Sequence, residues 1–367
     1  MVQAMSQIRK HAGQLVMAGF AGHAVPAEIR SLVSEFDLGG AILFARNVAE
    51  PEQVAELAFE LRWLGAEWPL WVGVDQEGGR VARLRAPFTV WPPMATLGRA
   101  DNGRELARRF ASARAGELSA VGIGIDFAPV LDVASNPNNP AIGDRALSNR
   151  ASSVAELGRV IIEELQAAGI AACGKHFPGH GDTGVDSHKE LPLVEHPPER
   201  LRETEFVPFR AAIDAGVAAM MVGHLLVPAF DEAHPATLSR RIVTDLLRDE
   251  LGFDGLVVTD DMEMKAIAAH QPVEQAAVAA VAAGCDAVLI CGTDHDLQAR
   301  SIEALIRAVE DDRLPVRRVE DALRRQRRAK ERFLAQAPAR PLRGAALRER
   351  LARAEAVATA EAMAVWA

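Results

Sequence analysis

The chain has 367 residues, 49% hydrophobic and 25% charged, enough apolar material for one large domain or two ordinary ones. Its 50 acidic residues outnumber 41 basic ones, and the formal net charge of -9 argues against a nucleic-acid partner, which would need a clustered basic surface. No apolar run approaches the roughly 18–20 residues of a membrane helix, and Arg9, Lys10 and His11 interrupt any signal-like core within Met1–Met17. A cytoplasmic protein without nucleic-acid or membrane partners is expected.

In chain order, apolar strand-like runs alternate with helical patterns. The runs are Leu15–Phe20, Ala41–Phe44, Leu70–Val74, Ile125–Val130, Ala171–His176, Ala218–Val222, Leu256–Thr259 and Ala287–Cys291. Between them lie helical patterns over Pro51–Leu64, Arg104–Val121, Val154–Ala168, Arg240–Leu251 and Val273–Ala283. Strands separated by helices pair in parallel through right-handed crossovers, and near-continuous apolar strands fit a sheet covered on both faces. Cys173, Cys285 and Cys291, odd in number and set in such runs, read as small buried hydrophobes.

Eight such units predict a single-domain α/β fold, a (β/α)8 TIM-type barrel, with a doubly wound open sheet as its rival. The polar residues decide between them. Asp75, Asp132, Lys175–His176, His224 and Asp260 each close a different apolar run, as expected of the C-terminal face of a barrel. An open sheet would gather its site near one switch point.

Helical periodicity continues over Val316–Phe333, and the arginines from Arg313 to Arg332 are interrupted by Glu320, Asp321 and Glu331, the pattern of a solvated helix face. Ala337-Pro338-Ala339-Arg340-Pro341 then breaks the pattern. Residues 1–337 are therefore read as the catalytic domain and 338–367 as a C-terminal tail, helical or flexible, that is too short for a core of its own. Residues 345–367 could form one further helix.

The densest chemistry lies in Lys175-His176-Phe177-Pro178-Gly179-His180-Gly181-Asp182-Thr183-Gly184-Val185-Asp186-Ser187-His188. Its prolines and glycines make it a loop leaving a buried strand. The match of Gly179–Gly184 to G-x-G-x-x-G opens no helix that could hold a pyrophosphate. A metal bound by His176, His180, Asp182 and His188 is an alternative, although Pro178-Gly179 forbids the helix that would put the first two on one face. Ser187, Asp186 and His188 are too close in sequence for a nucleophilic triad, and there is no nucleophile elbow. Asp186 and His188, two apart in an extended loop, can instead share a side, the carboxylate fixing the tautomer of an acid/base imidazole.

A second carboxylate stands in Gly255-Leu256-Val257-Val258-Thr259-Asp260-Asp261-Met262. Asp261 reads as a structural pair or cap. Asp260, at the strand tip, is placed to face the barrel mouth. A carboxylate nucleophile with a separate proton donor is the equipment of a retaining glycosidase.

These segments resemble glycoside hydrolase family 3, in particular its single-domain bacterial β-N-acetylglucosaminidases of NagZ type. The resemblance runs from about residue 10 to about 335 and rests on five motifs in the family's order. They are Gly39–Asn47, Val74-Asp75-Gln76-Glu77-Gly78-Gly79-Arg80-Val81, Lys175–His188, Pro235-Ala236-Thr237-Leu238-Ser239 and Gly255–Met262.

The resemblance implies Asp260 as nucleophile, His188 as acid/base and Asp186 as its dyad partner. It further implies substrate contacts from Asp75, Arg83, Arg145, Lys175 and His176. The segment around Arg145 departs from the family pattern, with Ala146-Leu147 where Ser and an aromatic are usual.

The read residues have plainer alternatives: Asp75 or Arg83 in an internal ion pair, Arg80 structural, His224 a satisfied core histidine, Trp71 and Trp91 core. The expected substrate is a terminal β-linked N-acetylglucosamine on a small oligosaccharide or muropeptide. It would be cleaved without metal or organic cofactor by a monomer or weak homodimer. The rival functions are a phosphorylase using inorganic phosphate, and a catalytically silent sugar-binding barrel.

Overall fold

The computed structural model describes residues 2–65, 67–335 and 340–367. Eight strands close into an all-parallel barrel: β1 (Val16–Ala18), β2 (Gly40–Leu43), β3 (Trp71–Val74), β4 (Ile125–Asp126), β5 (Ala171–Phe177), β6 (Ala219–Val222), β7 (Leu256–Asp261) and β8 (Ala287–Ile290). Sequential neighbours pair, and β1 joins β8 through Val16–Val288, Met17–Leu289 and Ala18–Ile290. The open-sheet rival is thereby excluded.

Side chains alternate across the wall with the two-residue period of a strand. Met17, Ile42, Trp71, Ile125, Ala171, Cys173, Ala219, Met221, Leu256, Val258, Ala287 and Leu289 form the inner cluster. Val16, Ala18, Ala41, Leu43, Val72, Val74, Val222, Val257, Val288 and Ile290 belong to the cluster beneath the helices. Trp71 and Trp91 are both buried, as core residues would be.

The helices Ala27–Phe36, Pro51–Arg62, Gly103–Ala120, Ala151–Ala167, Phe206–Asp214, Arg241–Glu250, Val273–Ala283 and His295–Glu310 surround the barrel. None of the described helices is long and apolar enough to cross a membrane.

Two expectations change. The run Ile125–Val130 is a strand only as far as Asp126, because Pro129 has no N–H for the ladder; pairing resumes as an isolated bridge between Val130 and Lys175. Asp132 therefore lies in the following loop, not at a strand tip. The tail holds two helices instead of one, Gly344–Arg348 and Ala354–Ala364. Leu347, Leu351, Ala356, Ala360 and Met363 from this segment join the main core, and the Ala352 amide donates to Glu117 at 2.7 Å. The expected boundary at 337/338 lies outside the described residues.

The arginine-rich helix Val316–Leu334 closes the N-terminal end of the barrel. Val319, Ala322, Gln326, Lys330 and Leu334 are its buried stripe, while Arg325 and Arg328 pair with Asp254 on the outside. Gln326 accepts from the Trp71 indole at 3.0 Å.

Lys330 is buried and donates to Gln14 Oε1 at 2.6 Å and to the Gly39 carbonyl at 2.8 Å, and the Asp37 carboxylate favours its charge. Burial pushes its ammonium down to about 7, which Asp37 only partly opposes. An unfolded lysine titrates near 10.4. Between those values the unfolded chain binds more protons, so this group makes stability rise with pH. The buried thiols of Cys173, Cys285 and Cys291 are all raised by burial and act in the opposite direction above about pH 8.5. Comparison with Lys330→Met isolates the lysine. Wild type should gain on the variant by a few kcal/mol from pH 7 to 10 in denaturant titrations; a constant difference would show an unshifted lysine.

Candidate active site

The loop after β3 is shaped by its glycines. Gly78 and Gly79 take φ of 116° and 56°, and a Cβ on Gly79 would lie 2.9 Å from Pro93 Cα. The turn presents Asp75 and buries Glu77. Lys175, at the end of β5 and 2% exposed, sets its ammonium 2.8 Å from Asp75 Oδ1 and 2.6 Å from Glu77 Oε1. Burial disfavours that charge, but the two carboxylates outweigh it and keep the lysine protonated.

Arg145 grips Glu77 through two bonds of 2.9 and 2.8 Å. For Glu77 too, burial opposes ionisation, yet Arg145 and Lys175 hold it far below the usual carboxylate range. Arg83 reaches Asp75 Oδ2 at 3.3 Å and lies over the Phe44 ring. Arg80 is half exposed and tethers the Ala141 and Ile142 carbonyls, a structural task.

The loop after β5 is hung from Asp132. This buried carboxylate accepts from His176 Nδ1 at 2.7 Å and from the His180 amide at 2.6 Å. Burial alone would raise it; the neighbouring imidazoles hold it below its ordinary value. A Cβ on Gly181 would fall 1.8 Å from the Val133 carbonyl, so only glycine lets the loop pass there.

Asp186 and His188 do meet, in a turn and not in extended chain. Asp186 Oδ1 accepts from the His188 amide at 2.9 Å and lies 2.9 Å from His188 Nδ1, an Asx-type arrangement that leaves the far ring nitrogen outward. The His188 side chain is 70% exposed. His176, His180, Asp182 and His188 do not converge as ligands. His180 sits between Thr183 and Ser187, Asp182 pairs with His196, and no metal-holding group of three or more such residues occurs among the described residues.

At the tip of β7 the two aspartates separate. Asp261 turns back into the wall, accepting from the Glu263 and Cys291 amides, both at 3.1 Å. Burial raises it to about 6. Asp260 is partly exposed, and its Oδ1 accepts from the Asp261 amide at 2.8 Å. Desolvation would raise Asp260, but His176, His224, that amide and Lys175 together hold it below the usual aspartate range. His224 is fully buried: its Nε2 donates to the Asp261 carbonyl at 2.9 Å, and Nδ1 meets Thr237 at 2.8 Å. Burial lowers its pKa, opposed by Asp260 and the Asp261 carbonyl, and its bonds position the backbone beside Asp260.

One face of the barrel thus carries an ionised aspartate, a carboxylate–imidazole pair on an exposed turn, and a cation–carboxylate lattice of Asp75, Glu77, Arg83, Arg145 and Lys175. Sequence reasoning did not single out Glu77, named His180 only as an alternative metal ligand, and placed Asp132 at a strand end without its role as a hub. Glu77 sits two residues after Asp75 beside paired glycines, a signal that could have found it. The partners of Asp132 are 44 and 48 residues away, and nothing local announces them.

Residues 7–329 match the glycosyl hydrolase family 3 N-terminal domain. The beta-hexosaminidase of Thiobacillus denitrificans is 42% identical over 281 residues, covering 75% of this chain and 77% of that protein. Among solved structures, a glycoside hydrolase family 3 beta-N-acetylglucosaminidase from Paenibacillus sp. superposes with TM-score 0.93 at 43% identity, over 98% of this chain and 68% of that one. NagZ from Neisseria gonorrhoeae, solved with N-trifluoroacetyl-D-glucosamine, gives TM-score 0.78 at 30% identity, over 96% and 97% of the two chains. Barrel, strand-tip chemistry and relatives agree: the chain is a glycoside hydrolase and belongs to glycosyl hydrolase family 3.

Proposed function

We propose that this enzyme removes terminal β-linked N-acetylglucosamine with retention of configuration, through a covalent intermediate on Asp260. His188, oriented by Asp186, protonates the leaving oxygen as Asp260 attacks the anomeric carbon. The same imidazole then takes a proton from the water that releases the sugar. The observation that carries this reading is the pairing of unlike groups. Asp260 is held ionised by His176, His224 and Lys175, while the proton donor is a histidine standing in solvent on its own turn. An imidazole can both give and accept a proton, as the two steps require.

Asp75 is the proposed grip on sugar hydroxyls, with Arg83 and Lys175 fixing its two oxygens and Arg145 acting through Glu77. His176, tied to Asp132, is proposed to face the same sugar. The names of the relatives support an N-acetylhexosamine at this position. Peptidoglycan fragments are the proposed natural source, handled in the cytoplasm by a monomer or weak homodimer, with residues 1–337 as the catalytic unit. Three free, buried cysteines suit a reducing compartment.

The test is release of nitrophenol from aryl β-N-acetylglucosaminides by wild type and His188→Ala, with and without inorganic phosphate. Loss of a proton donor should cost roughly 10²–10⁴-fold on poor leaving groups and little on dinitrophenol, which departs unassisted. Equal losses on both would remove His188 from the acid role. Phosphate stimulation with sugar 1-phosphate as product would make the enzyme a phosphorylase.

A further inference from the structure

We propose that His180 and Ser187 are positioning residues that hold the Asp186–His188 turn against the barrel, so that the proton donor meets the leaving group. The proposal rests on the acid/base role given to His188 above. Within the tripeptide Asp186-Ser187-His188, exposure is divided sharply. The His188 side chain is 70% exposed and Asp186 partly so, whereas Ser187 is 3% exposed and forms the stem of the turn. Two bonds fix it: its Oγ lies 3.1 Å from His180 Nε2, and its carbonyl accepts from the Ala266 amide, just beyond β7, at 3.3 Å.

The direction of the Ser187–His180 bond follows from its surroundings. Thr183 Oγ1 lies 2.6 Å from His180 Nδ1 and has carbonyl acceptors within reach, His180 at 3.1 Å and Val185 at 3.3 Å. It spends its single proton on them and accepts from Nδ1–H. Burial, with His176 nearby, lowers His180 to about 4, so the ring is neutral and carries only that one proton. Nε2 is therefore a bare acceptor, and the Ser187 hydroxyl must donate to it. His180 itself cannot drift. Its amide is held by Asp132 at 2.6 Å, and its carbonyl accepts from Asn139 Nδ2 at 2.7 Å.

The ends of the loop are fastened separately. Asp182 pairs with His196 across its base, and Val194 and Leu226 are joined at 2.9 Å at its exit. Between these ends, Ser187 ties the turn to the barrel wall at the midpoint of the dyad. Without its hydroxyl the turn keeps its internal Asx bonds but loses a fixed place over the mouth. Such misplacement weakens proton transfer and leaves nucleophilic attack intact.

The experiment compares kcat/KM for the disaccharide chitobiose and for the 2,4-dinitrophenyl glycoside in Ser187→Ala, His180→Phe, His180→Gln and the Ser187→Ala/His180→Phe double variant. Ser187→Ala should lose roughly tenfold on the disaccharide and less than about twofold on the activated glycoside. The double variant should fall no further than its worse single member, because both remove one bond. His180→Gln, which restores an acceptor near Nε2, should recover part of the loss. Equal losses on the two substrates, or additive losses in the double variant, overturn the proposal. His188→Ala run alongside separates the two levels. If it shows leaving-group dependence and Ser187→Ala does not, only the positioning role falls; if it shows none, the acid assignment itself falls.

Discussion

Asp260→Asn should lower kcat on p-nitrophenyl β-N-acetylglucosaminide by roughly 10⁴-fold or more, while leaving the protein folded. Asparagine has the same shape, and its carbonyl oxygen can keep the 2.8 Å bond from the Asp261 amide. What it lacks is the anion that attacks the anomeric carbon. Because its neighbours depress its pKa in the folded protein, the charge contributes to stability at neutral pH, so the melting temperature should fall modestly.

The pH dependence carries a sign. Asp260 is held below the usual aspartate range, so it is already ionised wherever an ordinary aspartate would be. Any decline of wild-type activity between about pH 6 and 4 must then come from groups other than Asp260. A fluorinated sugar that traps the intermediate should label the peptide carrying Asp260. Retention of more than about one-hundredth of wild-type kcat by Asp260→Asn, or a label elsewhere, would remove it from the nucleophile's role.

The fold was legible because the strands lie in apolar runs and helical spacing follows most of those runs. Six of the eight runs became strands of nearly their expected extent, and Leu15–Phe20 kept only Val16–Ala18. The eighth, Ile125–Val130, was cut by Pro129, whose missing N–H is itself a sequence feature that hydrophobicity outvoted. The tail was harder. Its alanines and arginines show a helix former and hide the break at Arg350–Ala352, where Ala352 takes φ of 39° and turns its amide toward Glu117. That bond spans 235 residues, and no local pattern encodes it.

The site divides in the same way. Asp260 and the Asp186–His188 pair were visible because strand-tip acids and a histidine two residues from an aspartate are local patterns. The turn that joins that pair was not, since an Asx bond and an extended loop both bring residues two apart together. Lys175 and Arg145 were nominated as sugar ligands through resemblance, whereas the structure first engages both with carboxylates. Ion-pair partners 68 and 100 residues apart are a property of the closed barrel and not of any segment.

That lattice supplies the largest expected stability effect. Lys175→Met removes the cation shared by Asp75 and Glu77 and leaves two carboxylates close together in a buried corner, with Arg83 and Arg145 as partial compensation. Breaking a buried pair on one side costs about 3–5 kcal/mol. For a chain of this length that is a fall of roughly 4–7 °C in melting temperature.

The sign with pH is fixed by Glu77. In wild type its pKa is depressed, so its stabilising charge is retained well below the ordinary carboxylate range. Without Lys175 the carboxyl titrates higher and can be neutralised, so the deficit should shrink as pH falls from 7 toward 4. Glu77→Gln/Lys175→Met removes both charges but also takes its carboxylate from Arg145, so it should recover less stability than replacing an isolated buried pair would. It should not recover activity, since Asp75 would still lack the ammonium that fixes its Oδ1 for the sugar. A Lys175→Met enzyme that melts with wild type, or a double variant that loses as much as the sum of its parts, would show that the lysine is not what holds this corner together.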